Sequence, residues 1–205
     1  MSEKGSKITS QKIQQEIIKV GKFIYDKGYI VATDGNISVR LNPKEILITR
    51  TGVCKGEMTI GDFVQLSLRG AERRGNLQLS KHTNCPSTEY RFHLAIYNNR
   101  PDVNAIIHAH PPYSTTYAVT GKKLDTKLLT ETEDILGKIK QVGYFQPGSL
   151  ELAKVVGKAS IEHNVMLLAH HGVVVCGKDL TEARYRLERM ELLSKVTLLA
   201  SLFKA

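Results

Sequence analysis

Apolar residues at Ile13, Ile17, Val20 and Ile24 recur at the spacing of one helix face. Ser10 can cap the start and Gly28 stop the end, so the pattern predicts an amphipathic opening helix over residues 10–26. Thr33-Asp34-Gly35-Asn36 is a turn cluster, and the alternation after it predicts a strand over residues 37–40. A second strand over 45–49 completes a hairpin that Thr51-Gly52 closes. Residues 59–62 read as a short helical turn, 63–68 as a third strand and 69–81 as a loop or hairpin tip. Pro86-Ser87-Thr88 then introduces a helix over 89–98 with Tyr90, Leu94 and Tyr97 on its apolar face.

The apolar run Ile106-Ile107 delivers His108-Ala109-His110 and stops at Pro111-Pro112, which cannot donate to a sheet ladder. A short helix over 113–119 and a loop or hairpin over 121–127 follow. Residues 128–140 carry a mixed signal, helix then strand, and 142–145 are extended. Ser149 caps a helix running to residue 163, with Leu150, Ala153, Val156 and Ile161 inward. Residues 165–169 and 173–176 are two apolar strands that pair as a hairpin across Gly172. The closing stretch 180–205 has an apolar stripe and no Gly or Pro, which predicts a long terminal helix. Hairpin-joined strands with helices between and at both ends make this an α/β chain with a mixed or antiparallel sheet. A strictly parallel doubly wound sheet is disfavoured.

Composition narrows the class. A chain of 205 residues with 41% hydrophobic content fits one globular domain, read as residues 10–205 behind a flexible arm at 1–9. No apolar run reaches the length of a membrane span and the polar start lacks a secretory core, so the expectation is a cytoplasmic protein without a membrane partner. Cys54, Cys85 and Cys176 are far apart and form no close pair, which argues against a disulfide framework. The net charge of +9 is scattered, with Arg69, Arg73 and Arg74 its densest group and no interleaved aromatics. No nucleic-acid partner is expected from that pattern, while the surplus favours small anions such as sugar phosphates.

The chemistry sits at strand ends. In a strand over 103–108, His108 and His110 project to one side and together can hold a divalent metal; a pair of solvated or core histidines is the competing reading. Of His170 and His171, only one can face the same way, beside a Gly172 that permits a sharp turn. Glu89, at a helix start, is the natural carboxylate. Three imidazoles and a carboxylate suit a first-row divalent ion, most simply zinc. Spacing alone leaves open whether the segments meet.

The set Gly35-Asn36-Ile37-Ser38, Thr51-Gly52, Ser87-Thr88-Glu89-Tyr90-Arg91-Phe92-His93, His108-Ala109-His110 and His170-His171-Gly172 resembles the class II aldolase/adducin family, in order and over nearly the whole chain. The resemblance implies a three-layer αβα single domain around a central, largely antiparallel mixed sheet. It implies one zinc per subunit on Glu89, His108, His110 and His171, with His170 behind them. It also maps a substrate phosphate onto Gly35, Asn36, Thr51, Gly52, Ser87 and Thr88, turn residues whose backbone N–H groups and hydroxyls suit an anion.

The implied reaction is reversible cleavage of a ketose 1-phosphate to dihydroxyacetone phosphate and a small aldehyde, with Glu89 moving the proton. The family's aldolases also carry a Tyr after the His-x-His strand that protonates the aldehyde side. Here Leu128-Leu129-Thr130-Glu131-Thr132-Glu133 has none, so either Glu131 substitutes as the acid or the aldehyde specificity differs. A homotetramer with sites between subunits is implied too. Alternatives within the superfamily are a pentulose-5-phosphate 4-epimerase, whose relatives carry Asp where Glu89 stands, and a methylthioribulose-1-phosphate dehydratase. A non-catalytic adducin-like binding module is disfavoured because all four ligand positions are filled.

Overall fold

The computed structural model describes residues 3–68 and 85–203; the loop expected at 69–81, with Arg69, Arg73 and Arg74, lies outside them. Helix α1 (Glu3–Asp26) buries the predicted stripe through Ile17 and Ile24. It begins at Glu3, so the segment read as an arm is helical from residue 3 and Ser10 lies within the helix rather than capping it. Strands β1 (Asn36–Asn42), β2 (Glu45–Thr49) and β3 (Phe63–Ser67) follow, then α2 (Tyr90–Asn99), β4 (Ala105–Ala109) and α3 (Pro112–Thr120). A 3-10 turn at Thr126–Leu128 precedes α4 (Thr132–Leu136), β5 (Ile139–Val142) and α5 (Leu150–Ala159). The hairpin of β6 (Val165–Leu168) and β7 (Gly172–Gly177) leads into α6 (Leu180–Leu202). None of the described helices is long and apolar enough to cross a membrane.

Among the described residues seven strands form one sheet in the order β3-β2-β1-β4-β7-β6-β5. Every neighbouring pair is antiparallel except β5 with β6, as expected for a largely antiparallel mixed sheet. Strand alternation sorts the core into two faces. Ile37, Leu47, Ile107, Leu167 and Val175 pack with Ile17 and Ile24 of α1 and Leu187, Met190 and Leu193 of α6. Ile46, Ile48, Ile106, Met166 and Val174 pack with Phe92 and Ile96 of α2 and Leu152 and Val156 of α5. Both faces are covered, which gives the expected three layers.

Several local expectations change. Residues 59–62 form a turn in which the Asp62 carboxylate accepts from the Thr59 N–H and hydroxyl, both at 2.8 Å. Helix α5 stops at Ala159, where the Ser160 carbonyl accepts from Arg100 at 2.6 Å instead of continuing a helical ladder. Ile161 lies past that stop and is exposed. Leu150 is exposed because it sits two residues before the inward Leu152, which turns it to the opposite side of the helix. Extended structure at 142–145 reduces to Val142, the last residue of β5.

Candidate active site

The central position of β4, hydrogen-bonded between β1 and β7, fixes His108 within the strand and His110 just beyond the strand's end. His108 is fully buried, and its Nδ1 faces the Val173 carbonyl of β7 at 2.9 Å. A carbonyl only accepts, so Nδ1 carries the hydrogen and Nε2 is turned to the site. His110 is held the same way, its Nδ1 3.3 Å from the Asp34 carboxylate. Outer hydrogen bonds of this kind set which ring nitrogen is free to ligate. The third imidazole comes from the β6–β7 turn. There the left-handed residue is His170, at φ 57°, and not Gly172 as the sequence suggested. Gly172 is required for another reason: a Cβ there would come within 2.6 Å of the Ala109 carbonyl and collide with the His110 ring.

His108 Nε2 lies 3.1 Å from His110 Nε2 and 3.2 Å from His171 Nε2. The Glu89 carboxylate, at the N-terminal edge of α2, closes the group: Oε2 is 3.1 Å from His108 Nε2, and Oε1 is 3.5 Å from His171 Nε2. Oε2 also accepts from Asn36 Nδ2 at 3.1 Å, whereas the buried Oε1 has no hydrogen-bond partner. Three convergent ring nitrogens and an unsatisfied carboxylate oxygen suit a divalent cation, and His108, His110 and His171 could hold one. Burial brings His110 down to about 4, reinforced by the neighbouring His108 charge, and does the same for His171. Burial pushes Glu89 up, but the charge and hydrogen bond of His108 outweigh it and hold the carboxyl near 2. For His108 burial acts downward and the Glu89 charge more than compensates, raising it. His110, His171 and Glu89 therefore stand deprotonated at neutral pH, the form that ligates.

A cavity of about 270 Å³ opens beside this cluster. Gly35, Asn36, Thr51, Gly52, Ser87 and Thr88, all six phosphate candidates, line it together with Glu89, His110 and His171. Gly35 adopts φ +69°, and a Cβ there would lie 2.6 Å from the His108 carbonyl, so its glycine is needed for packing as well. Asn36 is more committed than expected, since its side chain already bonds Glu89 and His93. The cavity also holds Asp34, Arg50 and Lys55, which sequence reasoning did not single out. Lys55 is 2% exposed, donates to the carbonyls of Thr33 and Val53 at 2.7 and 2.8 Å, and is lowered to about 8 by burial. Neither partner is an anion. The Arg50 Nε is buried without a hydrogen-bond partner, while its Nη1 lies 3.5 Å from the Asp62 carboxylate. Their place right beside Thr51-Gly52, a turn already picked out as anion-binding, was the available signal.

One expected residue is not brought in. Glu131 is 72% exposed, lies outside the cavity lining and sits 3.9 Å from Arg189. It occupies the left-handed position ahead of α4, at φ 68°, where that helix turns Leu136 into the core and leaves Glu131 to solvent. His170, the other member of its pair, is exposed with its ring against Tyr144.

A sheet covered on both faces thus ends in three imidazoles and a carboxylate that could hold a divalent metal, beside a cavity lined by hydroxyl, glycine and cationic side chains suited to an anion. Residues 15–198 match the model of the class II aldolase and adducin N-terminal domain, and the chain belongs to that family. It is 39% identical to an L-fuculose phosphate aldolase of Methanococcus maripaludis, over 86% of this chain and 91% of the relative. It is also 33% identical to a 3-oxo-tetronate 4-phosphate decarboxylase of Pectobacterium atrosepticum, over 92% and 84%. Among solved structures, an L-fuculose 1-phosphate aldolase superposes with a TM-score of 0.82 at 30% identity, covering 95% of this chain and 88% of that one. The L-fuculose-1-phosphate aldolase of Thermus thermophilus gives 0.80 at 26% identity, with 93% and 95% covered.

Proposed function

We propose that the chain is a zinc-dependent lyase that reversibly cleaves a ketose 1-phosphate, of the L-fuculose 1-phosphate kind, to dihydroxyacetone phosphate and a small aldehyde. The observation that carries this reading is a single cavity joining the His108/His110/His171/Glu89 cluster to the hydroxyl- and glycine-rich turns. Zinc bound there supplies a Lewis acid for the electron pair released when the carbon–carbon bond breaks. Thr51, Ser87 and Thr88 donate hydroxyls to the phosphate, while Gly35 and Gly52 let the backbone approach it and the second amide hydrogen of Asn36 is left for it. Lys55 and Arg50 balance its charge. Glu89, with Oε2 held by Asn36, uses the unpartnered Oε1 to return the proton to the hydroxymethyl carbon of dihydroxyacetone phosphate, and to remove it in the synthetic direction. With Glu131 outside the cavity, the acid at the aldehyde oxygen comes from a neighbouring subunit of a homotetramer.

The decarboxylase relatives support a second reading with the same donor fragment. Loss of carbon dioxide from 3-oxo-tetronate 4-phosphate also leaves dihydroxyacetone phosphate, so release of that product alone does not separate the two. The test is the co-product. A panel of ketose 1-phosphates yielding dihydroxyacetone phosphate with one equivalent of aldehyde supports the aldolase; carbon dioxide from the oxo-acid phosphate, with no ketose cleaved, replaces it by the decarboxylase.

The phosphate contacts make a separate prediction. Thr51→Ala and Ser87→Ala each remove a hydroxyl donor to a dianion, worth about 1.5–3 kcal/mol for a charge-assisted bond. Steady-state kinetics are expected to show KM raised by about tenfold or more in each, and an unchanged KM in both would place the phosphate elsewhere.

A further inference from the structure

Glu89 at the N-cap of α2, and His93 and Tyr97 within it, follow one another at intervals of four, so they line one side of that helix. Asn36 and Ser38 lie two apart on β1 and share one face of the sheet. These two rows meet in a buried chain of hydrogen bonds. Tyr97 OH is 2.9 Å from Ser38 Oγ, and Ser38 Oγ is 2.7 Å from His93 Nδ1. His93 Nε2 meets Asn36 Oδ1, and Asn36 Nδ2 lies 3.1 Å from Glu89 Oε2. Ser38 and His93 are fully buried, and Tyr97 and Asn36 are each 2% exposed. Arg40, next but one to Ser38 on the same strand, covers the Tyr97 ring at 4.8 Å and seals the far end.

Only one direction is open to each link. An ionised carboxylate accepts and cannot donate, so Asn36 must present its NH2 to Glu89 and its carbonyl to His93. His93 then carries its hydrogen on Nε2, and Nδ1 is left to accept from Ser38. With its hydrogen used, Ser38 accepts from Tyr97. Burial keeps His93 neutral, down to about 3, and pushes the Tyr97 phenol up, so both keep the protonation this order requires.

We propose that His93 is a positioning residue which, backed by Ser38 and Tyr97, locks the Asn36 amide so that Glu89 Oε2 is held and Oε1 is left free for the metal and the substrate proton. The final clause rests on the proposed aldolase reading; the lock does not. Without an anchored carbonyl the Asn36 amide can turn over, and its oxygen would then face the carboxylate. Such outer hydrogen bonds commonly carry about 10–100-fold in metal affinity.

The lock is tested by ¹⁵N NMR of histidine-labelled protein and by zinc competition against a chelating dye, neither of which needs turnover. The wild type is expected to show His93 as the Nε2–H tautomer, unchanged from pH 5.5 to 8.5. His93→Gln, which keeps a donor and an acceptor, is expected to bind zinc within a few-fold of the wild type. His93→Phe, which fills the space and keeps neither, is expected to lose about 10–100-fold. An Nδ1–H tautomer in the wild type, or equal zinc affinity in the Gln and Phe variants, overturns the proposal. If the tautomer and affinities are as stated but the wild type cleaves no ketose phosphate, the lock stands and the aldolase reading falls.

Discussion

Glu89→Gln is expected still to bind zinc when metal is supplied in excess, at an affinity lowered at least as much as in His93→Phe, and to lose proton exchange at the hydroxymethyl carbon of dihydroxyacetone phosphate by about 10²–10⁴-fold, the usual contribution of a positioned acid–base group. Zinc is still bound because His108, His110 and His171 converge without help from the carboxylate, the first two rings being held through Nδ1 by the Val173 carbonyl and the Asp34 carboxylate and the third by the β6–β7 turn, which leaves the Nε2 atoms to the site. Proton transfer is lost because an amide of the same shape has no basic oxygen to replace Oε1. The measurement is deuterium incorporation from heavy water with no aldehyde present, paired with metal analysis of the same sample. It also separates reaction classes. Aldolase and decarboxylase both protonate that carbon, whereas an epimerase retains the aldehyde fragment and adds it back on its other face, with no proton delivered there. A wild type that interconverts pentulose phosphate epimers without exchanging would replace the aldolase by the epimerase.

How much of this was legible in the sequence differs by kind of residue. The two core faces follow from alternation, since Ile106 and Ile107 must part to opposite sides of β4 and each needs a covering layer. The metal cluster was legible as a set of residue types at strand ends and one helix start, and the family resemblance chose His171 over His170. The geometry behind that choice is a left-handed His170, a backbone state that one sequence does not announce. Lys55 was missed because a lone lysine in a turn has no periodic signature; its meaning comes from burial among the carbonyls of Thr33 and Val53. Glu131 lies away from the cavity of its own chain, because distance along the chain from His110 says little about where a loop settles once α4 anchors Leu136. The Glu89, His93, Tyr97 stripe and the Asn36, Ser38 pair were both readable as periodicities. What no periodicity supplied was that the two rows face each other.

The metal-free protein is expected to lose stability steeply as pH falls from about 6.5 to 4.5. His110 and His171 stay neutral in the folded state down to about pH 4, while in the unfolded chain they take up protons from about pH 6.5. His93, held at about 3, behaves alike. Across that window the unfolded state binds more protons, so stability rises with pH and is lost on acidification. Each ring contributes of order 2 kcal/mol once the window is crossed. His108 acts oppositely, because its raised value favours the folded state at lower pH, but it is one ring against three. Glu89, held near 2, adds a further loss only as pH falls from about 4.5 through 2. Urea midpoints of chelator-treated protein at pH 7.5, 6.0 and 4.5 should therefore fall in that order, and His110→Ala combined with His171→Ala should flatten the slope. Zinc should raise the midpoint at pH 7.5 and progressively lose its effect toward pH 4.5, where ligation has to displace the His108 proton. A metal-free midpoint that stays level or rises on acidification would mean that the three imidazoles are not held together as buried neutral rings.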